Sequence, residues 1–354
     1  MMIDLRSDTV TQPTPEMREV MFNAQVGDDM FGEDPTVNDL QEKTARLTGK
    51  EAALFVASGT MGNQVSINAH TQPGNEIIME GNSHIFNYEC GSPALLSGVQ
   101  VMPLPGFRGS FTVEQVREVI RPENVHHPKT ALICIENTHN RAGGTIFPYK
   151  NIQQISAFAR EHKLKMHLDG ARLWNASIAT GIPVADYARH FDSVSLCFSK
   201  GLGAPVGSII AGSQEFIDRA RYYRKAYGGG MRQAGILAAA AIYAMDHHFE
   251  RLAEDHRQAK MLGDFITTLP GIEFDPETVQ TNIIIFDIRK TGIDGQKFVD
   301  LLAQEGVKMI TFAKTKIRAV TNLHISDGDI EQTIAALKKI FDKMLKQTIS
   351  GSKN

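Results

Sequence analysis

The feature that most constrains this chain is an alternation. Short apolar runs, AALFVAS (52–58), EIIME (76–80), TALICIEN (130–137), LKMHLDG (164–170) and DSVSLCFS (192–199), are separated by segments with helical spacing such as TMGNQVSINAHT (60–71) and NIQQISAFAREHK (151–163). Runs this short, apolar at consecutive positions, read as strands buried on both faces. Strands that alternate with helices predict a mainly parallel sheet covered by helices on both sides, because each parallel pair needs a crossover. Helix starts are marked too. Thr14 precedes Pro15, and Asp34 precedes Pro35 in a segment that stops at Gly49; each is a capping residue followed by proline at the first helical position. From Arg251 the texture changes. Charged helical sequence (RLAEDHRQAKMLGDFITTL) surrounds TNIIIFDI and KIRAVT, which predicts a smaller α+β domain after a long helix near 231–258. The expected division is a large domain at 1–250, whose N-terminal segment contributes to the site, a small domain at 251–347, and a loose tail at 348–354.

Composition narrows the function. The chain has 354 residues, enough for two domains, and its formal charge of −3 provides no basic field for nucleic acid or an anionic membrane. No apolar run approaches the ~20 residues that span a bilayer, and MMIDLRSDTV carries charges where a secretion signal would be apolar. Cys90, Cys134 and Cys197 are odd in number and widely spaced, so neither a disulfide framework nor a CxxC site is expected. A reducing, cytoplasmic setting follows as an expectation.

Chemistry is expected at the carboxyl ends of the strands, where open α/β sheets bind ligands. Asp169 ends one apolar run and Lys200 follows the next, in SKGLGAPVGS. If those strands are parallel, a carboxylate and a lysine share one edge of the sheet; a structural salt bridge is the competing reading. Ser58, Gly59 and Thr60 follow a strand and open a helix, where free N–H groups and the helix dipole suit a phosphate. No Gly-Lys-Ser/Thr follows, so this is not a nucleotide P-loop. GLGAPVG (201–207) imitates a dinucleotide fingerprint, but Pro205 and an apolar run follow it where a helix would be required. Tyr227 to Gly235, YGGGMRQAG, presents Arg232 at a helix start, or is a plain interdomain loop. A lysine for a Schiff base, an anion for a ring nitrogen and a phosphate cradle together point to pyridoxal 5'-phosphate.

The motifs IDLRSDTVTQPTPEM, VGDDMFGEDPT, EAALFVASGTMGNQVSINAH, SHIFNYE, IENTHNRAGG, HLDGARLWNASIA, SKGLGAPVGS and GGGMRQAG resemble those of the low-specificity L-threonine aldolases, over nearly the whole chain. The resemblance implies fold type I, with a mainly parallel seven-stranded sheet flanked by helices and a small C-terminal α+β domain. It implies retro-aldol cleavage of a small β-hydroxy-α-amino acid, threonine or allo-threonine, to glycine and acetaldehyde, by a homotetramer built as a dimer of dimers. Lys200 matches the cofactor lysine and Asp169 the partner of the pyridine nitrogen. Arg172 matches the arginine near the phenolic oxygen and the substrate carboxylate. Ser58, Gly59 and Thr60 match the phosphate turn, and Arg232 matches a phosphate ligand given by a neighbouring subunit. Ser7 and Arg318 match residues that hold the substrate carboxylate. His84 matches the histidine stacked on the ring, and His126 one that reaches the substrate hydroxyl. No metal is expected: His126 and His127 adjoin without a third ligand at zinc spacing. Two departures stand out, Phe31 where the family commonly has tyrosine and Asn322 where it often has histidine.

Two rival readings remain at this point. A β-eliminating lyase or an aminotransferase of the same fold needs the same lysine and aspartate. A catalytically silent binding protein does not, and retention of Lys200, Asp169 and Arg318 together argues against it.

Overall fold

The computed structural model describes residues 2–351, with side chains through Lys343. The strands are β1 (Ile3–Asp4), β2 (Ala52–Val56), β3 (Glu76–Glu80), β4 (Gln100–Leu104), β5 (Thr130–Glu136), β6 (Lys165–Gly170), β7 (Ser193–Cys197), β8 (Ser208–Gly212), β9 (Ile283–Asp287), β10 (Val307–Lys308), β11 (Ile310–Thr311) and β12 (Lys316–Val320). Seven of them form one sheet in the order β2-β8-β7-β6-β5-β3-β4. The pairs β3–β4, β3–β5, β5–β6 and β6–β7 are parallel, and only β8 runs against its neighbours. The predicted α/β architecture is therefore present. The sequence reading passed over β4, an edge strand in which only Leu104 is buried and which contains Pro103; such a strand lacks the buried apolar signature.

Local signals account for the helix ends. In α1 (Pro15–Phe22) the Thr14 hydroxyl accepts from the Met17 N–H. In α2 (Pro35–Thr48) the Asp34 carboxylate accepts from the Val37 N–H, and Gly49 ends the helix at φ 64°, a left-handed conformation open to glycine. After β2 comes α3 (Gly59–His70), and after β3 the short α4 (His84–Asn87). The single long helix expected near 231–258 is instead two, Gly235–His247 and Leu252–Ile266. At the break His248 is buried, its Nδ1 2.7 Å from the Leu202 carbonyl oxygen, and that tertiary bond turns the chain.

The two largest of four apolar clusters among the described residues organise the molecule. The larger joins sheet residues such as Ile133, Leu168, Val194 and Ile209 to Trp174, Tyr187 and the helices around them. The second joins Leu262, Phe286, Phe298, Ile317 and Leu337 under a small antiparallel sheet of order β11-β12-β9. Ile3 and Leu5, grouped with 1–250 by the sequence reading, lie in this second core: β1 pairs with β10, and the Leu5 carbonyl accepts from the Val320 N–H at 2.8 Å. Complementary edges, invisible in a seven-residue stretch, decide that placement. The chain then crosses to the large sheet, carrying Ser7 and Asp8 between the two cores. The final helix extends to Gly351, so within the stretch expected as a tail, 348–354, the last three residues lie outside the described residues.

Candidate active site

The parallel register puts the ends of β5, β6 and β7 side by side. Glu136 pairs with Asp169, and Asp169 with Ser195, so the turn carrying Lys200 leaves the same sheet edge as Asp169. That turn is tightly tied. The Phe198 N–H donates to Gly207, and those of Gly203 and Ala204 donate to Lys200 and Phe198. Gly207 has φ 108°, and a Cβ there would lie 2.6 Å from the Phe55 ring, so only glycine closes the turn. Lys200 is half-buried and has no carboxylate within salt-bridge distance among the described residues. Asp169 is 2% exposed; its oxygens accept from Asn63 Nδ2 at 2.9 Å and the Ala171 N–H at 3.2 Å. The two groups therefore share an edge without forming the structural salt bridge that competed with a cofactor role.

The expected phosphate cradle is the β2–α3 junction. Ser58 caps α3 by accepting from the Met61 N–H, and its carbonyl accepts from Gly62. The N–H groups of Gly59 and Thr60, ahead of these, have no acceptor within the helix. A Cβ on Gly59 would lie 2.8 Å from Cys197 Sγ, so glycine is what lets the helix start press against the end of β7.

His84 opens α4 at the end of β3, and two carboxylates fix it. Glu136 accepts from its backbone N–H at 2.6 Å, and with its other oxygen from the Asn140 N–H at 2.8 Å. Glu89 accepts from the ring Nδ1 at 2.9 Å. Glu89 is itself buried and also accepts from Asn63 and Gln64. Burial alone would push the His84 imidazole down. The Glu89 hydrogen bond and the nearby Asp169 charge outweigh it and raise the His84 pKa above its ordinary value. Burial raises Glu89, with the Asp169 charge adding to it. Ligand atoms of His84, Glu89 and Asp169 all lie within 4.8 Å of one another, a spacing that metals also use. Here the His84 Nδ1 faces Glu89 at hydrogen-bond distance, and the Asn63 amide donates to both Glu89 and Asp169, so hydrogen bonds join the trio.

The second side of the site comes from the N-terminal crossover. Asp8 is fully buried and takes a bidentate contact from Arg172, with Nε and Nη2 each at 2.7 Å. Burial would raise the Asp8 carboxyl, but Arg172 outweighs it and holds the group at about 2, with Lys200 close enough to contribute. Arg318, on β12, donates to Asn140 Oδ1 at 3.1 Å and the Arg6 carbonyl at 3.2 Å, and its guanidinium carbon lies 5.6 Å from the Phe312 ring centroid. Its Nε is buried with no partner among the described residues. Ser7 caps the following turn, accepting from the Thr9 N–H. Asn322, the departure from the family motif, is buried and braces the Asp4 carbonyl and the His324 N–H.

Two expected residues are not brought in by this chain. His126 lies exposed in the loop before β5, at the opposite end of that strand from Glu136, with its own N–H tied to Asn124. The loop contains Pro122 and Pro128 and follows a helix that ends at Val119, so nothing local directs it toward the site. Arg232 is exposed and paired with Asp28 at 3.3 Å. Conversely, sequence reasoning passed over Asp8, Asn63, Glu89, Glu136 and Asn140. Glu136 offered the same signal as Asp169, a charge ending an apolar strand. Glu89 and Asn63 offered none, since only packing shows that they are buried.

A family model described as beta-eliminating lyase matches residues 4–289. Low-specificity L-threonine aldolase 1 of Arabidopsis thaliana is 42% identical over 342 residues, 95% of this chain and 96% of that protein. The low specificity L-threonine aldolase of Escherichia coli (strain K12) is 44% identical over 264 residues, 74% of this chain and 78% of its own length. Among solved structures, a threonine aldolase of Leishmania major superposes with a TM-score of 0.82 over 96% of this chain and 99% of its own, at 20% identity. A serine palmitoyltransferase of Sphingomonas wittichii does so with 0.76 over 98% and 88%, at 18% identity. These two likenesses speak for the fold alone, which two different chemistries share.

Proposed function

The chain belongs to the low-specificity L-threonine aldolases, lyases that depend on pyridoxal phosphate, and from that premise we propose that it cleaves L-threonine and L-allo-threonine to glycine and acetaldehyde. The observation that carries this reading is Lys200, with no carboxylate in salt-bridge distance among the described residues, beside the buried Asp169 on one sheet edge.

The residues fit the cofactor. Free N–H groups at Gly59 and Thr60 suit its phosphate, Lys200 its aldehyde carbon, Asp169 its ring nitrogen and the His84 imidazole its ring face. When bound, pyridoxal phosphate supplies an electron sink for bonds at the substrate's Cα. This chain's residues do the rest. Arg318, whose buried Nε lacks a partner among the described residues, binds the α-carboxylate with Arg172 and so orients Cα–Cβ for cleavage. The bidentate Asp8 contact holds Arg172 still. His84, its Nδ1 proton held by Glu89, presents Nε2 to take the β-hydroxyl proton. Asp169, its oxygens held by the Asn63 and Ala171 donors, presents its carboxylate to the ring nitrogen and so favours the protonated ring.

The test is a product assay on the threonine isomers. Acetaldehyde and glycine in equal amounts support the aldolase. Ammonia and a keto acid would assign the β-eliminating alternative instead.

The proposal extends to assembly. Phe31 is 76% exposed, and its turn is joined to the Arg232 loop by the Asp29 N–H, which donates to the Arg232 carbonyl, and by the Asp28 ion pair. An exposed aromatic beside an exposed arginine suits contact with a second copy, so that Arg232 reaches a neighbouring phosphate in a dimer of dimers. Light scattering that finds a fully active monomer would overturn this. A cytoplasmic location is proposed with it, supported by three unpaired cysteines, Cys90, Cys134 and Cys197.

A further inference from the structure

Arg141 stands out among the cations near the site. It follows Asn140, the Arg318 partner, and its guanidinium carbon lies 5.7 Å from the centroids of both the Tyr88 and Phe312 rings. Its Nη1 donates to the Tyr88 hydroxyl at 3.2 Å. No carboxylate lies within salt-bridge distance of it among the described residues, although it lines a cleft of about 670 Å³ that also contains Glu80, Glu273, Asp275 and Asp287. Those acids are committed elsewhere: Asp275 to Arg108, Glu273 and Asp287 to Arg289, and Glu80 to His139. An arginine held near two rings keeps its full charge while losing little freedom when it binds an anion.

Its position relates it to both halves of the site. Tyr88 lies 5.6 Å, ring to ring, from His84. Phe312 is shared with Arg318, and the two ring distances limit the Arg141 and Arg318 guanidinium carbons to about 11 Å apart. A bidentate contact sets a carboxylate carbon about 4 Å from each guanidinium carbon. A four-carbon dicarboxylate is short enough to keep one end on each arginine within that limit.

Resting on the aldolase reading, we propose that Arg141 is a specificity residue that recruits β-hydroxy-α-amino acids with a second carboxylate on the β-carbon, of the 3-hydroxyaspartate type. Arg318 binds the α-carboxylate and Arg141 the distal one. The bond changes are those of threonine cleavage. Cα–Cβ breaks, its electron pair stays with Cα, Cα takes up a proton, and the β-hydroxyl loses one as Cβ becomes the aldehyde carbon. The products are glycine and a 2-oxo acid aldehyde, glyoxylate for the four-carbon substrate.

The experiment compares kcat/KM for 3-hydroxyaspartate and threonine in the wild-type holoenzyme, Arg141→Met and Arg141→Glu. Removal of one charge-assisted contact is expected to lower the ratio of the first to the second by about 10- to 100-fold in Arg141→Met, and further in Arg141→Glu. A parallel titration calorimetry measurement uses succinate and butyrate, which lack the amine. Wild type is expected to bind succinate about tenfold more tightly than butyrate, and Arg141→Met to bind both alike. An unchanged ratio, or equal succinate and butyrate affinity in wild type, overturns the proposal while threonine cleavage leaves the aldolase reading standing. Failure to cleave either amino acid overturns the aldolase reading, and this proposal with it.

Discussion

The Nδ1 of His84 lies 2.9 Å from Oε1 of Glu89, a carboxylate that solvent does not reach. This bond sets the tautomer, so that the imidazole offers Nε2 as its basic atom. It also raises the His84 pKa, against the opposing effect of burial.

For Glu89→Gln the sign follows directly. A proton acceptor must be neutral, so activity falls as pH drops through the His84 pKa, which Glu89 holds high. The variant should move the acid limb of the kcat/KM profile to lower pH and reduce kcat by about 10- to 100-fold. A limb that stays in place would remove Glu89 from the positioning of His84.

Asp169→Asn keeps the hydrogen-bonding shape and deletes the anion. The expected result is a loss in kcat on the order of 10³-fold or more, with cofactor still bound through Lys200 and the helix start. Near wild-type turnover would mean that Asp169 is not the ring-nitrogen partner.

Lys200→Ala should purify without covalently attached cofactor. Intact mass after borohydride reduction reads this, and a cofactor mass on the variant would point to another lysine.

Asp8→Ala strands the buried Arg172 guanidinium. Breaking such a pair costs about 3–5 kcal/mol, visible in a lowered denaturant midpoint. Its linkage has a definite sign. Because the folded-state value is depressed from 3.8 to about 2, the pair's stabilisation is present above the unfolded value and is lost as pH falls through the folded one. Wild type should therefore lose about 2 kcal/mol between pH 5 and 2 that Asp8→Ala does not lose. Parallel acid unfolding curves for the two proteins would contradict this.

Local chemistry is what the sequence by itself determined. Apolar runs of strand length, alternating with capped helices, specify a parallel sheet wherever they pack, and the placement of Asp169 and Lys200 after two successive runs put both at one edge once the strands were parallel. The small turn after Lys200 and the Ser58-Gly59-Thr60 helix start were legible for the same reason: each depends on residues adjacent in sequence. Tertiary structure alone decided the partners. Glu89 reaches His84 and Asn63 because the turn after α4 packs against α3, and Asp8 meets Arg172 because β1 adds to the second core before the chain crosses back. Arg141 and Arg318 share Phe312 for a similar reason, coming from opposite parts of the chain. A carboxylate reads the same in sequence whether it is solvated or buried against a cation. Its role follows from desolvation and contact, which depend on residues far away in the chain.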